Sequence, residues 1–278
     1  MTLSCPAPAK LNLFLHVVGR RSDGYHLLQT LFRFIDLHDT LHFTGRLDGV
    51  VRRTNAVEGV AEQQDLCVRA ARLLQSETGC ALGVDIAVEK RIPMGGGLGG
   101  GSSDAATTLI ALNRLWQLDL SRAQLMKFGL CLGADVPVFV FGQNAFAEGV
   151  GEALQAYPLS DAWYVVLFPN VAVPTAQIFT HPELTRDTVS ITMRALSEVQ
   201  LRNDLQSVSC KLYPEIARCI AWLDNYGNAM MTGSGACVFA EFDSRSQADA
   251  VLRQLPHDMQ GVVAQGLMQH PLYDWLPE

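Results

Sequence analysis

Charge is scarce in this chain. Lys, Arg, Asp and Glu together make up 18% of its 278 residues, and the formal net charge is −7. No Lys/Arg run stands out, which argues against a nucleic-acid partner. An acidic ligand would have to be held by a few local cations and amides, so a small focused site is expected rather than a broad basic face. Long apolar runs are also missing: 163–168 is among the longest and is far too short to span a bilayer. No membrane association is expected. The opening Met1-Thr2-Leu3-Ser4-Cys5-Pro6 has neither a charged start nor an apolar stretch after it, so no signal peptide is expected and a cytoplasmic location follows.

Cysteine is present without a pattern. The seven residues, Cys5, Cys67, Cys80, Cys131, Cys210, Cys219 and Cys237, are odd in number and include no CxxC pair. Reduced thiols in an intracellular protein are the natural reading. His38 and His42 are four apart, but Asp39-Thr40-Leu41-His42-Phe43 alternates as a strand does, and on a strand that spacing does not stack two metal ligands.

What the chain does hold is apolar bulk and one dense glycine run. Apolar residues account for 49% of the sequence, enough for a sizeable core in one large domain or two ordinary ones. Leu11, Leu13, Leu15 and Val17 alternate with Asn12 and His16, which predicts a half-buried strand. Val84–Val88 predicts another, leading straight into Pro93-Met94-Gly95-Gly96-Gly97-Leu98-Gly99-Gly100-Gly101-Ser102-Ser103-Asp104-Ala105-Ala106. Six of those fourteen residues are glycine. Behind the run, Ala105, Leu109, Leu112 and Trp116 recur at helical spacing, with Ser102, Ser103 and Asp104 suited to cap the start. A second helix follows from a capping box at Ser121-Arg122-Ala123-Gln124 to a stop at Gly133. Asp135 then sits just past a helix and before an expected strand, Val136-Pro137-Val138-Phe139. The pattern loosens at Tyr157-Pro158-Leu159-Ser160-Asp161, which divides the chain into domains 1–156 and 157–278. Later come a strand at 164–168, a helix at 214–226, a glycine turn into a strand at 232–242, a helix at 244–255 and a strand at 261–267. Helices and strands mix in both halves, and no repeat is visible.

Glycine lets a backbone close on a ligand, and amides at a helix N-terminus attract anions, so the run is expected to cradle phosphate. A Walker A loop fails, because Ser102 stands where lysine must be. Gly95, Gly97 and Gly100 fit a dinucleotide fingerprint, with Asp119 near the offset for a ribose ligand, but that acid lies between two helical patterns instead of ending a strand. A bare flexible linker would not be bracketed by a strand and a capped helix.

The remaining loop type is Pro-x3-Gly-Leu-Gly-x-Ser-Ser. Pro93, Gly97-Leu98-Gly99 and Ser102-Ser103, with extra glycine, resemble the loop of the GHMP kinases. Pro8-Ala9-Lys10-Leu11-Asn12-Leu13, Asp23-Gly24-Tyr25-His26, Gly133-Ala134-Asp135-Val136-Pro137 and Thr232-Gly233-Ser234-Gly235-Ala236 extend the likeness across residues 6–267. The resemblance implies an α+β fold of two domains, the first ribosomal-S5-like and the second ferredoxin-like, with the active site in the cleft between them. It implies an ATP-dependent kinase acting on a small alcohol, with Mg²⁺. The Asp-Gly-Tyr-His element resembles a branch of the non-mevalonate isoprenoid route, whose acceptor is the 2-hydroxyl of a methylerythritol bearing a cytidine diphosphate group. By the same likeness Asp135 accepts the hydroxyl proton, Lys10 steadies Asp135 and the moving phosphoryl group, and Asn12 bonds near the reacting end. A carboxylate is a weak base, so positioning counts for more than proton abstraction. Tyr25 and Phe179 would sandwich the cytosine, with His26 and Thr175 beside it, and the run Pro93–Ser103 would hold the ATP phosphates. Ser103, or Ser102, would meet the metal, and Gly233, Ser234 and Gly235 would shape the floor. One departure stands out: the family often has Asn-Leu before the Arg-Ala-Ala helix, and Asp65-Leu66 stands there instead, so no nucleotide contact is assigned to Asp65. Another small-alcohol kinase of the family and a non-catalytic nucleotide-binding protein on the same scaffold stay open at this point, as does a choice between monomer and homodimer.

Overall fold

The computed structural model describes residues 2–277 apart from 23, 58 and 198–200. Asp23 of the Asp-Gly-Tyr-His element therefore lies outside the described residues. The chain runs β1 (Thr2–Arg20), β2 (His26–Arg46), β3 (Val51–Arg53), α1 (Leu66–Thr78), β4 (Gly83–Glu89), α2 (Gly100–Leu115), α3 (Arg122–Leu132), α4 (Val136–Phe141), β5 (Ala145–Glu148) and β6 (Ala153–Ala156). It continues with β7 (Trp163–Leu167), α5 (Thr175–Thr180), α6 (Gln206–Leu212), α7 (Pro214–Leu223), β8 (Met230–Met231), β9 (Val238–Phe242), α8 (Arg245–Leu252) and β10 (Gly261–Gln265). This is an α+β arrangement around two sheets.

The first sheet has the order β3-β4-β2-β5-β6, with β1 also paired to β2, and only the β3–β4 pairing is parallel. The second has the order β10-β7-β9-β8 and is antiparallel throughout. Helices α1 and α2 cover the first sheet. Almost every residue of α2 from Ser103 to Asn113 is buried, so this helix is a core element with apolar contact nearly all round. Burying a side chain such as its Leu109 contributes about 2 kcal/mol. A separate cluster joins the two sheets: Ala9, Leu11, Ile92 and Leu98 pack with Tyr164, Val166, Cys237 and Phe239. The chain's last stretch returns to the first half, where Leu272 and Leu276 enter its core and the His270 amide donates to the Gly142 carbonyl at 2.8 Å. No helix among the described residues is long and apolar enough to cross a membrane.

Two local expectations change. Helix α2 starts at Gly100 with Gly99 as its cap, so Ser102, Ser103 and Asp104 lie inside the first turn instead of capping it. Glycine can take the left-handed cap conformation that Gly99 shows (φ 73°), which removes the need for a capping side chain. The stretch after Asp135 is the short helix α4, not a strand, and Pro137 sits near its start, where a missing N–H costs nothing. Five of the six residues of α4 are buried, so its apolar run reads alike in either conformation. The capping box at Ser121 and Gln124 is present in both directions.

Candidate active site

The glycine loop is tied down by its carbonyls. The Leu98 carbonyl accepts from the Lys10 amide at 3.0 Å, and the Gly96 carbonyl accepts from the Cys237 amide at 3.0 Å. The Gly97 carbonyl accepts a long 3.4 Å bond from the Thr232 hydroxyl. With its acceptors used by protein donors, the loop has amide hydrogens left to offer, joined by the free N–H groups of the first turn of α2. Gly95, Gly97 and Gly99 all have φ between 69° and 77°. At Gly97 the requirement is also spatial, because a Cβ would press on the Thr232 carbonyl oxygen and lie 3.2 Å from the Gly235 oxygen.

The loop is the wall between two cavities. One, of about 410 Å³, is lined by Val57, Val60, Leu66, Cys67, Val88, Lys90, Asp104 and every loop residue from Pro93 to Ser102. The other, of about 360 Å³, is lined by Lys10, Asn12, Thr30, Phe32, Asp135, Thr175, Phe179 and Gly233, Ser234 and Gly235. Gly95, Gly97, Gly99 and Ser102 belong to both. Ser103 lines neither: it is fully buried, and its hydroxyl has no hydrogen-bond partner among the described residues.

In the second cavity the Lys10 ammonium lies 3.3 Å from Asp135 Oδ2 and donates to Asn12 Oδ1 at 2.5 Å. Residues i and i+2 of a strand share a face, which brings Lys10 and Asn12 together on β1. The β1–β2 ladder slips at Pro8/Ala9 and again between Asn12 and Leu15, on either side of that pair. Such irregularities re-aim side chains at functional edges. Lys10 is 3% exposed at its side chain and Asp135 37%, so the cation is fixed in the protein and the carboxylate faces open space. The Asn12 amide nitrogen of the side chain donates to the Thr30 hydroxyl at 2.9 Å, and its backbone amide donates to the Thr232 hydroxyl at 2.9 Å. Thr232 thus ties β1, the loop and the second domain together. Ser234 shares a 2.8 Å hydrogen bond with Thr175, and Asn203 holds the Met231 and Gly233 carbonyls at 2.7 and 2.8 Å.

Phe179, which lines this cavity, has its ring 5.0 Å from that of His26, and Tyr25, before His26 in the chain, is 65% exposed. The structure brings His26 and Phe179 into contact, while Tyr25 stands outward. Burial and the neighbouring cations Arg186 and Arg20 lower the His26 pKa, which keeps the ring neutral near pH 7.

The first cavity carries groups the motif reading did not reach. Lys90 bonds Asp39, and Asp104 at 2.8 Å, while Asp39 also accepts the Arg91 and Ile92 amides at 2.6 and 2.8 Å. Two carboxylates share one ammonium here. Asp39 accepts from two backbone amides besides Lys90, whereas burial pushes Asp104 up to about 7 against the pull of Lys90. Asp104 Oδ1 has no hydrogen-bond partner among the described residues. Asp65 caps α1 by accepting from the Cys67 and Val68 amides and pairs with Arg53 at 2.6 Å, so a structural task occupies its carboxylate.

The chain was compared with known proteins. A model of the GHMP kinases N terminal domain matches residues 65–143, and one of the GHMP kinases C terminal matches residues 185–260. The chain is similar to the 4-diphosphocytidyl-2-C-methyl-D-erythritol kinase of Nitrosospira multiformis, at 60% identity over 98% of this chain and 94% of that one. Against the kinase of the same name from Thiobacillus denitrificans the identity is 60%, covering the full length of both. A solved 4-(cytidine 5'-diphospho)-2C-methyl-D-erythritol kinase superposes with a TM-score of 0.82 at 33% identity, covering 95% of this chain and 99% of that one. The Methanococcus jannaschii mevalonate kinase, with a TM-score of 0.69 at 16% identity over 96% and 98% of the two chains, shares the fold.

Proposed function

The chain belongs to the GHMP kinase family, and from that premise we propose that it transfers the terminal phosphoryl group of ATP to the 2-hydroxyl of 4-diphosphocytidyl-2-C-methyl-D-erythritol, a step of non-mevalonate isoprenoid synthesis. Full-length likeness to kinases of that name favours this acceptor over another small alcohol, and an intact Lys10–Asp135 pair argues against a mere nucleotide sensor. The observation that carries the reading is the shared wall: one glycine loop borders both an apolar cavity and a second cavity holding Lys10 and Asp135.

In this reading the adenosine occupies the first cavity and the triphosphate crosses the loop amides toward Lys10. The acceptor enters the second cavity, with its cytidine against Tyr25, His26 and Phe179. The acceptor oxygen forms a bond to the γ-phosphorus, the bond from that phosphorus to the ADP oxygen breaks, and the hydroxyl proton passes to Asp135. Lys10 and the loop amides offset charge on the transferring group, and most of the acceleration comes from alignment. Asn12, fixed by Thr30 and Thr232, orients the hydroxyl. Mg²⁺ usually keeps several waters and takes few protein ligands beside the phosphates. Ser102, which borders both cavities, fits that sparse role, whereas the burial of Ser103 does not. Held there, the metal would supply positive charge that offsets the charge developing on the phosphates. We place the enzyme in the cytoplasm, as a monomer or homodimer.

The test is incubation with ATP, Mg²⁺ and a panel of alcohols, followed by phosphorus NMR. A new phosphomonoester on the cytidylyl alcohol alone supports the proposal. Equal labelling of mevalonate or homoserine, or none of any alcohol, overturns it.

A further inference from the structure

Arg186 lies in the irregular stretch after α5 and belongs to no recognised motif, yet it bonds His26 and the backbone of Phe179, a residue that lines the second cavity. Its Nε donates to His26 Nε2 at 3.1 Å. Its Nη2 donates to the carbonyls of Phe179 and His181 at 2.9 and 2.7 Å, and its Nη1 to the Leu184 carbonyl at 3.0 Å. One guanidinium therefore grips both rings that meet there: His26 through its side chain and Phe179 through its backbone. Among the described residues no carboxylate pairs with Arg186, so its charge is directed at the ring and the carbonyls.

A guanidinium is a permanent cation with donors and no acceptor. A ring nitrogen that faces it at hydrogen-bond distance must therefore accept. A neutral imidazole accepting at Nε2 carries its proton at Nδ1. Among the described residues, the charged groups acting on the ring are Arg186 and Arg20, both cations, and both, after burial, disfavour imidazolium.

We propose that Arg186 is a positioning residue that locks His26 as the neutral Nδ1–H tautomer, so that the ring offers a donor to the acceptor N3 of cytosine and rejects uracil. Uracil carries N–H at that position, so donor would meet donor. This inference rests on the assignment of Tyr25, His26 and Phe179 to the cytidine group. Leaving such a donor unpaired in a partly buried site lowers affinity about tenfold or more.

The experiment uses the full-length protein labelled with ¹⁵N at histidine, with His26→Gln to assign the ring. The wild type should show His26 as the neutral Nδ1–H form at pH 7 and above, and CDP should shift its resonances while UDP does not. In Arg186→Met the ring should exchange tautomers and titrate at higher pH than in the wild type, with burial and Arg20 still holding it below its ordinary value. KM for the cytidylyl alcohol should then rise about tenfold at pH 7 and further toward pH 6, while KM for ATP holds. Arg186→Lys, which restores a cation beside the ring, should flatten that pH profile. A general structural defect would depress activity evenly at all pH and would not be rescued in this way. A cationic or Nε2–H ring in the wild type, or an unchanged tautomer in Arg186→Met, overturns the proposal and leaves the cytidine assignment standing. A locked ring that ignores CDP in a protein that still phosphorylates the cytidylyl alcohol overturns both.

Discussion

Replacing Lys10 with Met separates catalysis from stability. The ammonium sits 3.3 Å from Asp135 Oδ2, and two unit charges at that distance attract by about 5 kcal/mol at an effective dielectric of about 20. Little of this survives as stability. Asp135 is 37% exposed and screened by solvent, while burying the ammonium costs several kcal/mol, roughly cancelling the attraction. Met is close in volume and keeps an apolar stem beside the Phe32 ring, over which the ammonium now lies at 5.4 Å from the centroid. The Thr232 hydroxyl lies 3.3 Å from Asn12 Oδ1 and turns its one hydrogen to it in place of the longer 3.4 Å contact with the Gly97 carbonyl, so the buried Asn12 oxygen keeps a donor. Folding stability should therefore change by about 1 kcal/mol or less, on the order of 3 °C in Tm for a chain of this size. Turnover has no such offset, because the transferring phosphoryl group loses a fixed charge. A loss of about 10²–10³ in kcat is expected. Coupled-enzyme kinetics and differential scanning calorimetry on the same preparation read both quantities. A variant turning over within tenfold of the wild type, or one that melts 10 °C lower, would refute the reasoning.

Three further outcomes follow from the geometry. Gly97→Ala forces a side chain into left-handed backbone against the Thr232 carbonyl, and should cost about 2–5 kcal/mol in denaturant unfolding. The control Gly79→Ala has a similar φ of 68° with nothing within 4 Å of the added Cβ, and should cost only about 1 kcal/mol; equal losses would sink the claim of a close approach. For Asp104, the native pKa near 7 lies above the ordinary aspartate value of about 3.9, so the folded state holds the extra proton between them. Stability should fall as pH rises from about 4 to 7, and Asp104→Asn should flatten that slope, gaining at least about 1 kcal/mol over the wild type at pH 8 in urea titrations; parallel curves would contradict this. Tyr25→Ala should raise KM for the cytidylyl acceptor about tenfold or more with KM for ATP unchanged, because a lost stacking face costs about 1–3 kcal/mol; equal rises in both would remove Tyr25 from the base site.

The parts of the site that sequence makes legible are those where chemistry conflicts with local pattern. Lys10 is a charge in an apolar strand, Asp135 a charge before an apolar run, and the glycine run has no rival explanation as structure. The structure brings the first two within an ion pair across 125 residues of chain. What stayed hidden depends on pairing across the chain. The Asp39–Lys90–Asp104 cluster joins β2, the residue after β4 and α2, and each member alone resembles a surface charge. Arg186 is set in irregular backbone, where no periodicity marks a role. Thr232 was read as part of a glycine turn, and its hydroxyl proves to be the tie between β1 and the loop. Helix α4 escaped because six apolar residues carry no period, and its cap Asp135 was found through its charge alone.

A crystal structure with a non-hydrolysable ATP analogue and the cytidylyl alcohol tests the central claim most directly. The analogue's triphosphate should lie along the amides of Gly95–Ser102, with its terminal phosphorus and the acceptor 2-hydroxyl both within side-chain reach of Lys10 and Asp135. A triphosphate seated away from the loop, or an acceptor hydroxyl more than about 6 Å from Asp135, beyond direct or one-water contact, would contradict it.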